Sequence, residues 1–270
     1  VGAVITSASG EFISEGFHQG TDHAEVIAIN AAASIPAGSI IYVSLEPCNH
    51  HGKTPPCTDA IIKSGISKVV FAVSDPNPIA AGGAKHLQGA GIEVESGICY
   101  EEASYANRAW LTKITNDRPR ITWKIASTMD GKVAASDGSS KWITGELARA
   151  DVALMRSQAD AIVTTTATVK ADDPLLTSKG LGNNPIRIVM GNTENANSSQ
   201  IFGKDAETVI IKSRDPRELI AFANERGFNQ LLIESGPTFG TALLSQNLID
   251  EIVLFQAPTF LGSGTPAISD

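Results

Sequence analysis

SIIYVSLEPCNHHGKTPPCTDAIIKSGISKVVFAV, residues 39–73, is the stretch whose reading decides the fold. It opens on a β-branched run, SIIYVSL, and passes through a loop dense in proline, cysteine and histidine. It then continues as the helical stretch CTDAIIKSG and closes on a second β-branched run, KVVFAV. Strand, helix and strand in succession predict an α/β sheet with helices covering its faces, and Gly65 stands where a helix C-terminal cap belongs. The alternation extends outward. GAVIT and the apolar helix HAEVIAINAAA precede the stretch, and GGAKHLQGAG follows it, with Gly91 placed as a second cap before an apolar run.

The polar, proline-bearing stretch LTKITNDRPRITW then breaks the pattern, and a second α/β series begins near Arg120. It runs RITWKIAS, GELARADVALMRSQ, DAIVTT, PIRIVM, ETVIIK, PRELIAFANERG, QLLIES, GTALLSQ and EIVLFQ. The boundary is placed there, giving domains over 1–117 and 118–270. No repeat relates the halves, and MGNTENANSSQIFG reads as a loop. The chain opens in mid-strand without Met and stops at GTPAISD, so both termini are expected to be incomplete.

With 270 residues, 42% of them hydrophobic, the chain is long enough to bury a real core. No apolar run approaches the roughly 20 residues of a membrane span, and no signal peptide is visible, so no membrane partner and a cytoplasmic location are expected. A formal net charge of −8 argues against broad adhesion to nucleic acid and for a small-molecule substrate. Three cysteines, Cys48, Cys57 and Cys99, are an odd count without secretory context, which argues against a disulfide framework.

Cys48 and Cys57 are too far apart for a thioredoxin-type redox pair. A metal reading gains from HAE upstream: His23 with two thiolates makes three ligands, the count that leaves a catalytic zinc its fourth position. Both His23 and Cys57 open helices, whose positive ends favour thiolates, and Glu25 lies beside the metal as a proton carrier. Singly, each residue has a plainer reading: a cap, a carboxylate answering a helix dipole, two core cysteines. Together, in the order His-x-Glu then Pro-Cys and a second Cys, they form the zinc deaminase signature. One feature departs from it, since eight residues rather than two separate the cysteines.

The arrangement HAE, LEPCNHHGKTPPC and DPNP closely resembles the diaminopyrimidine deaminases of riboflavin biosynthesis, a branch of the cytidine deaminase superfamily whose second cysteine is displaced in this way. The resemblance implies zinc held by His23, Cys48 and Cys57, with Glu25 shuttling a proton to departing ammonia. It also implies that His50 and Lys53 contact a phosphorylated substrate, with His18 a weaker candidate because its spacing to His23 is shorter than in the family.

In the second half, ESGPTFGTALL alone is a weak phosphate-binding signal, glycines between a strand and a helix. KIASTMDGK, SKWIT, TTATVKADDPLLT and ESGPTFGTALL nonetheless follow the order of the reductase half of the bifunctional riboflavin enzymes, which is similar in fold to dihydrofolate reductase. The resemblance therefore implies an N-terminal cytidine deaminase-like three-layer domain and a C-terminal dihydrofolate reductase-like α/β domain. It implies that NADPH reduces the ribosyl side chain of the deaminated phosphoribosyl pyrimidine to ribityl. Ala126, Trp142, Thr168, Asp172 and the segment Gly236, Pro237, Thr238, Phe239, Gly240, Thr241 and Ala242 fall to the nucleotide. Ser140, Thr144, Arg156, Leu176, Lys179 and Glu234 fall to the substrate, with Lys179 where the family commonly has Arg. The proton donor for the reduction is Lys124 or Asp172. Arg214 is placed to meet a 2′-phosphate or is plain surface charge.

Two rivals stand. A nucleoside or tRNA base deaminase would need a basic surface, and a non-catalytic protein with structural zinc would need a fourth ligand, which His50 or His51 could supply. A homo-oligomer is expected, because loop-built sites of this superfamily are often completed by a neighbouring subunit.

Overall fold

The β-branched runs of the first half become one sheet. The computed structural model describes residues 1–18, 20–52, 54–140, 143–192 and 198–268, and the chain divides into two units, Val1–Thr115 and Asn116–Asp270. In the first unit, β1 (Gly2–Thr6), β2 (Phe12–Phe17), β3 (Ile40–Leu45), β4 (Lys68–Val73) and β5 (Glu93–Ser96) lie in the order β2-β1-β3-β4-β5. β1 is antiparallel to β2 and β3, whereas β3, β4 and β5 run parallel. The helices are α1 (Ala24–Ala31), α2 (Cys57–Ser64), α3 (Gly83–Gly89), α4 (Tyr100–Ala106) and α5 (Arg108–Asn116).

One sheet face buries Ala3, Ile5, Ile41, Val43, Val69 and Phe71 against Ala24 and Ala28 of α1, Ile61 of α2 and Leu87 of α3. A βαβ crossover needs this cover on a parallel sheet. α2 ends at Gly65, whose φ of 79° is the left-handed cap anticipated above. Two features differ from the sequence reading. β2 was not anticipated, because its buried positions are Ser14 and Gly16 while Phe12 and Phe17 are exposed, so its period carries no inward apolar signal. The stretch read as the start of a linker, 111–116, is the second half of α5.

The second unit holds β6 (Arg120–Thr128), β7 (Lys132–Ala134), β8 (Ala161–Thr165), β9 (Ile186–Met190), β10 (Thr208–Ile211), β11 (Gln230–Ile233), β12 (Glu251–Ala257) and β13 (Thr265–Pro266). Its helices are α6 (Glu146–Gln158), α7 (Thr166–Asp172), α8 (Pro216–Glu225) and α9 (Pro237–Ser245). Six strands form a parallel sheet in the order β10-β9-β8-β11-β6-β12, and β7 pairs with β13. Period two sorts β6 cleanly: Ile121, Trp123 and Ile125 join the core with Val163, Ile188, Leu231 and Leu243, so Lys124 and Ala126 take the opposite face. Among the described residues no helix is long and apolar enough to cross a membrane.

Candidate active sites

The first site is built where α1 and α2 begin. His23 is the N-cap residue of α1, with extended backbone and no capping hydrogen bond from its side chain, so the ring is available to the loop opposite. Cys57 is the first residue of α2. Nδ1 of His23 lies 3.2 Å from Sγ of Cys57 and 3.5 Å from Sγ of Cys48, and the Cys57 N–H donates to Cys48 Sγ at 3.4 Å. The three ligand atoms all lie within 4.8 Å of one another, and among the described residues neither His50, His51 nor any carboxylate joins the group.

The surroundings hold this geometry. Gly16 of β2 passes so close to α1 that a Cβ there would meet the Ala24 carbonyl oxygen at 2.1 Å, and Ser14 donates to the Ala28 carbonyl at 2.7 Å. Buried Glu46 accepts from the N–H groups of Asp75 (3.2 Å) and Ala84 (3.0 Å), tying the end of β3 to the DPNP loop and to α3. Asn49 donates its N–H to the Ala80 carbonyl and accepts from the Thr58 hydroxyl. Sequence reading passed over Glu46, because a carboxylate that works by holding backbone N–H groups from other loops leaves no local pattern, and over Asn49, whose partners Ala80 and Thr58 only the fold brings to it.

Electrostatics set the protonation of the cluster. The hydrogen bond from Cys57, with help from the His23 ring and against the opposing effect of burial, brings the Cys48 thiol down to about 4. That same hydrogen bond, together with burial, drives the Cys57 thiol upward. A thiolate, a thiol and a ring nitrogen at this spacing share a proton that a divalent cation would displace, so the donor set fits zinc. Burial raises the Glu25 carboxyl, which sits against the Cys57 thiol. A cavity of about 250 Å³ opens beside the cluster, lined by His18, His23, Cys48, His50 and Thr54 among others. His18 packs edge-on against His23 with ring centroids 5.5 Å apart, so the structure brings this weaker candidate into the site. Lys53 lies outside the described residues.

The second site gathers at the carboxyl ends of β8 and β11 and at the middle of the longer β6 beside them. Glu234, just past β11, accepts from Arg156 Nε (2.6 Å) and Nη2 (2.9 Å) and pairs with Lys124 Nζ at 3.3 Å. Arg156 comes from the last turn of α6 and also donates to the Thr177 carbonyl. Burial alone would raise the Glu234 carboxyl, but Lys124 and Arg156 outweigh it and hold the group at about 2. Ser140 donates to Asp172 at 2.6 Å, and the Gly236 N–H donates to Thr168 Oγ1 at 3.4 Å. Thr168 and Asp172 lie one turn apart on α7, whose N-cap Thr165 accepts from the Thr168 N–H.

The remaining candidates divide. Gly236 is the N-cap of α9 with Pro237 next, no side chain caps that end, and a Cβ at Gly236 would meet open space. A helix start without a capping side chain, beside an open position, fits the phosphates of a dinucleotide. Phe239 and Gly240 point instead into the core: Gly240 is inside α9 rather than before it, and a Cβ there would meet the Trp123 ring at 2.0 Å. Ala126 shares a strand face with Lys124, Leu176 is buried with a left-handed φ of 51°, and Lys179 is exposed. The Thr144 carbonyl accepts from Arg149. Trp142 lies outside the described residues.

Two family models match the chain, the cytidine and deoxycytidylate deaminase zinc-binding region over residues 1–73 and the RibD C-terminal domain over 119–270. The riboflavin biosynthesis protein RibD of Mycobacterium tuberculosis is 41% identical over 278 residues, which take in 100% of this chain and 81% of that protein. RibD of Escherichia coli is 38% identical over 97% of this chain and 82% of its own length. In structure the chain is similar to a diaminohydroxyphosphoribosylaminopyrimidine deaminase/5-amino-6-(5-phosphoribosylamino)uracil reductase from Thermotoga maritima. The TM-score is 0.91 at 34% identity, covering 100% of this chain and 84% of the other. It is similar to Acinetobacter baumannii RibD at a TM-score of 0.88 and 35% identity, covering 100% and 83%.

Proposed function

This chain belongs to the RibD family of riboflavin biosynthesis, bifunctional enzymes with a zinc-dependent deaminase and an NADPH-dependent reductase, and from that premise we propose which of its residues carry each reaction. The deaminase occupies residues 1–117 and the reductase 118–270. The substrates are those named for the Thermotoga relative: a phosphoribosylated diaminopyrimidine loses its amino group, and the resulting 5-amino-6-(5-phosphoribosylamino)uracil is reduced in its sugar.

The convergence of His23, Cys48 and Cys57 within 4.8 Å, with Glu25 buried against Cys57, carries the deaminase reading. Those three residues hold the zinc, which when bound supplies Lewis acidity for hydrolysis near neutral pH. Glu25 holds the moving proton, since burial favours the protonated form of its carboxyl and so makes it a better acceptor than an exposed carboxylate. The substrate gains water at its amino-bearing carbon, the C–N bond breaks, and Glu25 delivers the proton with which ammonia leaves. His50 and Lys53 take the substrate and its phosphate, and His18 closes the cavity wall beside His23.

In the reductase, Glu234 stays ionised between Lys124 and Arg156 and fixes both cations. NADPH, when bound, supplies the reducing electrons. Lys124 provides the proton to the reacting sugar, with Asp172 the alternative donor, its carboxyl oriented by Ser140. Ala126, Trp142, Thr168, Asp172 and Gly236 to Ala242 are assigned to the nucleotide, Phe239 and Gly240 acting by shaping α9 from the core side. Ser140, Thr144, Arg156, Leu176, Lys179 and Glu234 are assigned to the substrate. The net charge of −8 supports a free small molecule rather than nucleic acid as ligand. We place the enzyme in the cytoplasm as a homo-oligomer, which light scattering checks.

Stripping zinc with a chelator tests the division of labour. Ammonia release is expected to disappear and to return with added zinc, while NADPH oxidation on pre-deaminated substrate persists. Ammonia release that survives complete zinc removal would overturn the deaminase assignment.

A further inference from the structure

Arg187, the second residue of β9, has no solvent exposure at all. Its neighbours Ile186, Ile188 and Met190 pack into one side of the sheet, whereas Val189 packs with Leu176 and Ile201 on the other, and strand alternation puts Arg187 on that second face. The guanidinium donates to three backbone carbonyls: Leu175 at 3.2 Å, Gly203 at 2.7 Å and Ala206 at 2.5 Å. Burial lowers its pKa, with Asp205 opposing at longer range. A buried cation held by carbonyls adds little to stability over an apolar side chain of its volume. What an apolar residue could not do is hold those carbonyls in place.

The carbonyl of Leu175 belongs to an unusual segment. Within residues 173–179, Asp173, Leu176 and Lys179 all adopt left-handed backbone, at φ of 43°, 51° and 52°, and none is glycine. Such conformations persist only where the surroundings over-determine them. Four ties do so here. Gln200 donates its backbone N–H and its side-chain amide to Asp173. Arg187 holds Leu175, Arg156 holds the Thr177 carbonyl, and Asn184 accepts from the N–H and hydroxyl of Ser178.

We propose that Arg187 is a positioning residue of the reductase, whose buried guanidinium fixes the strained 173–179 segment so that Leu176 and Lys179 meet the substrate in register with Asp172 just before them. This rests on the assignment of those three residues to the reductase site. Arg187 itself touches neither substrate nor nucleotide; Gln200 and Asn184 complete the clamp.

The test compares Arg187→Lys, Arg187→Met, Gln200→Ala and Asp172→Asn in the full chain, with NADPH and 5-amino-6-(5-phosphoribosylamino)uracil. Arg187→Met is expected to raise KM for the pyrimidine roughly tenfold to a hundredfold. Ammonia release stays unchanged, and amide hydrogen exchange rises only in segments 173–179 and 200–206. Arg187→Lys restores part of the KM. A fall in kcat at unchanged KM, or exchange rising throughout the second unit, would mark Arg187 as merely structural and overturn the proposal. If Arg187→Met does not fold, Gln200→Ala decides: at this exposed position the expected result is a smaller KM rise with local exchange, and an unchanged KM sinks the clamp. Asp172→Asn separates the two failures, since normal reductase kinetics there would remove the site assignment itself, whereas impaired kinetics beside a silent Arg187→Met would remove only the clamp.

Discussion

Glu234 shows how much one carboxylate can carry. Its pKa of about 2 in the folded chain lies below the ordinary 4.5, so the stabilisation it contributes is fully present above pH 4.5 and is lost as the pH falls toward 2. The difference corresponds to about 3 kcal/mol. Glu234→Gln removes it and leaves Arg156 and Lys124 facing a neutral amide, at a cost of about 3–5 kcal/mol near neutral pH. Urea unfolding across pH 2–7 should show the gap between wild type and variant narrowing below pH 4.5; a gap independent of pH would mean that the ion pairs do not hold Glu234 ionised. The grouping of His23, Cys48 and Cys57 was legible at this scale because metal chemistry demands particular residue types, two of them here standing at the starts of helices and one in the loop after β3. Glu46 and Arg187 were not, since each works on backbone groups of distant loops, and backbone groups have no sequence signature; Asn49 and Gln200 were not, since only the fold brings them their partners Thr58 and Asp173.

At the scale of elements, two glycines set the distances on which the sites depend. Gly16 lets β2 lie against α1, the helix that His23 caps, and Gly240 lets α9 lie against Trp123. Gly16→Ala should force α1 outward, lower zinc affinity and destabilise the first unit by about 1–3 kcal/mol; Gly240→Ala should cost the second unit a similar amount. Zinc titration and thermal unfolding check both, and native zinc affinity in Gly16→Ala would show that α1 is positioned by other contacts. The β-branched runs, the glycine cap after α2 and the α/β alternation could be read directly, because burial of a parallel strand leaves a continuous apolar run. β2 could not, since close packing against α1 selects Ser14 and Gly16 rather than bulky apolar residues. Gly240 invited a phosphate reading from its place in ESGPTFGTALL, whereas the ring of Trp123 is what excludes a side chain there.

At the scale of the whole molecule, one acidic chain carries a first unit in which His23, Cys48 and Cys57 gather near two helix starts, and a second in which Lys124, Arg156 and Glu234 gather on a parallel sheet. The displaced second cysteine, a departure within the deaminase signature, leaves the three ligand atoms together all the same. That two separate residue sets serve two separate reactions is tested most directly by crossing Glu25→Gln and Lys124→Ala against both assays on the same preparations. Glu25→Gln should retain zinc, lose ammonia release by about 10²-fold or more, and oxidise NADPH at the wild-type rate on pre-deaminated substrate. Lys124→Ala should release ammonia normally and fail in reduction. Loss of both activities in both variants would contradict the two-site division.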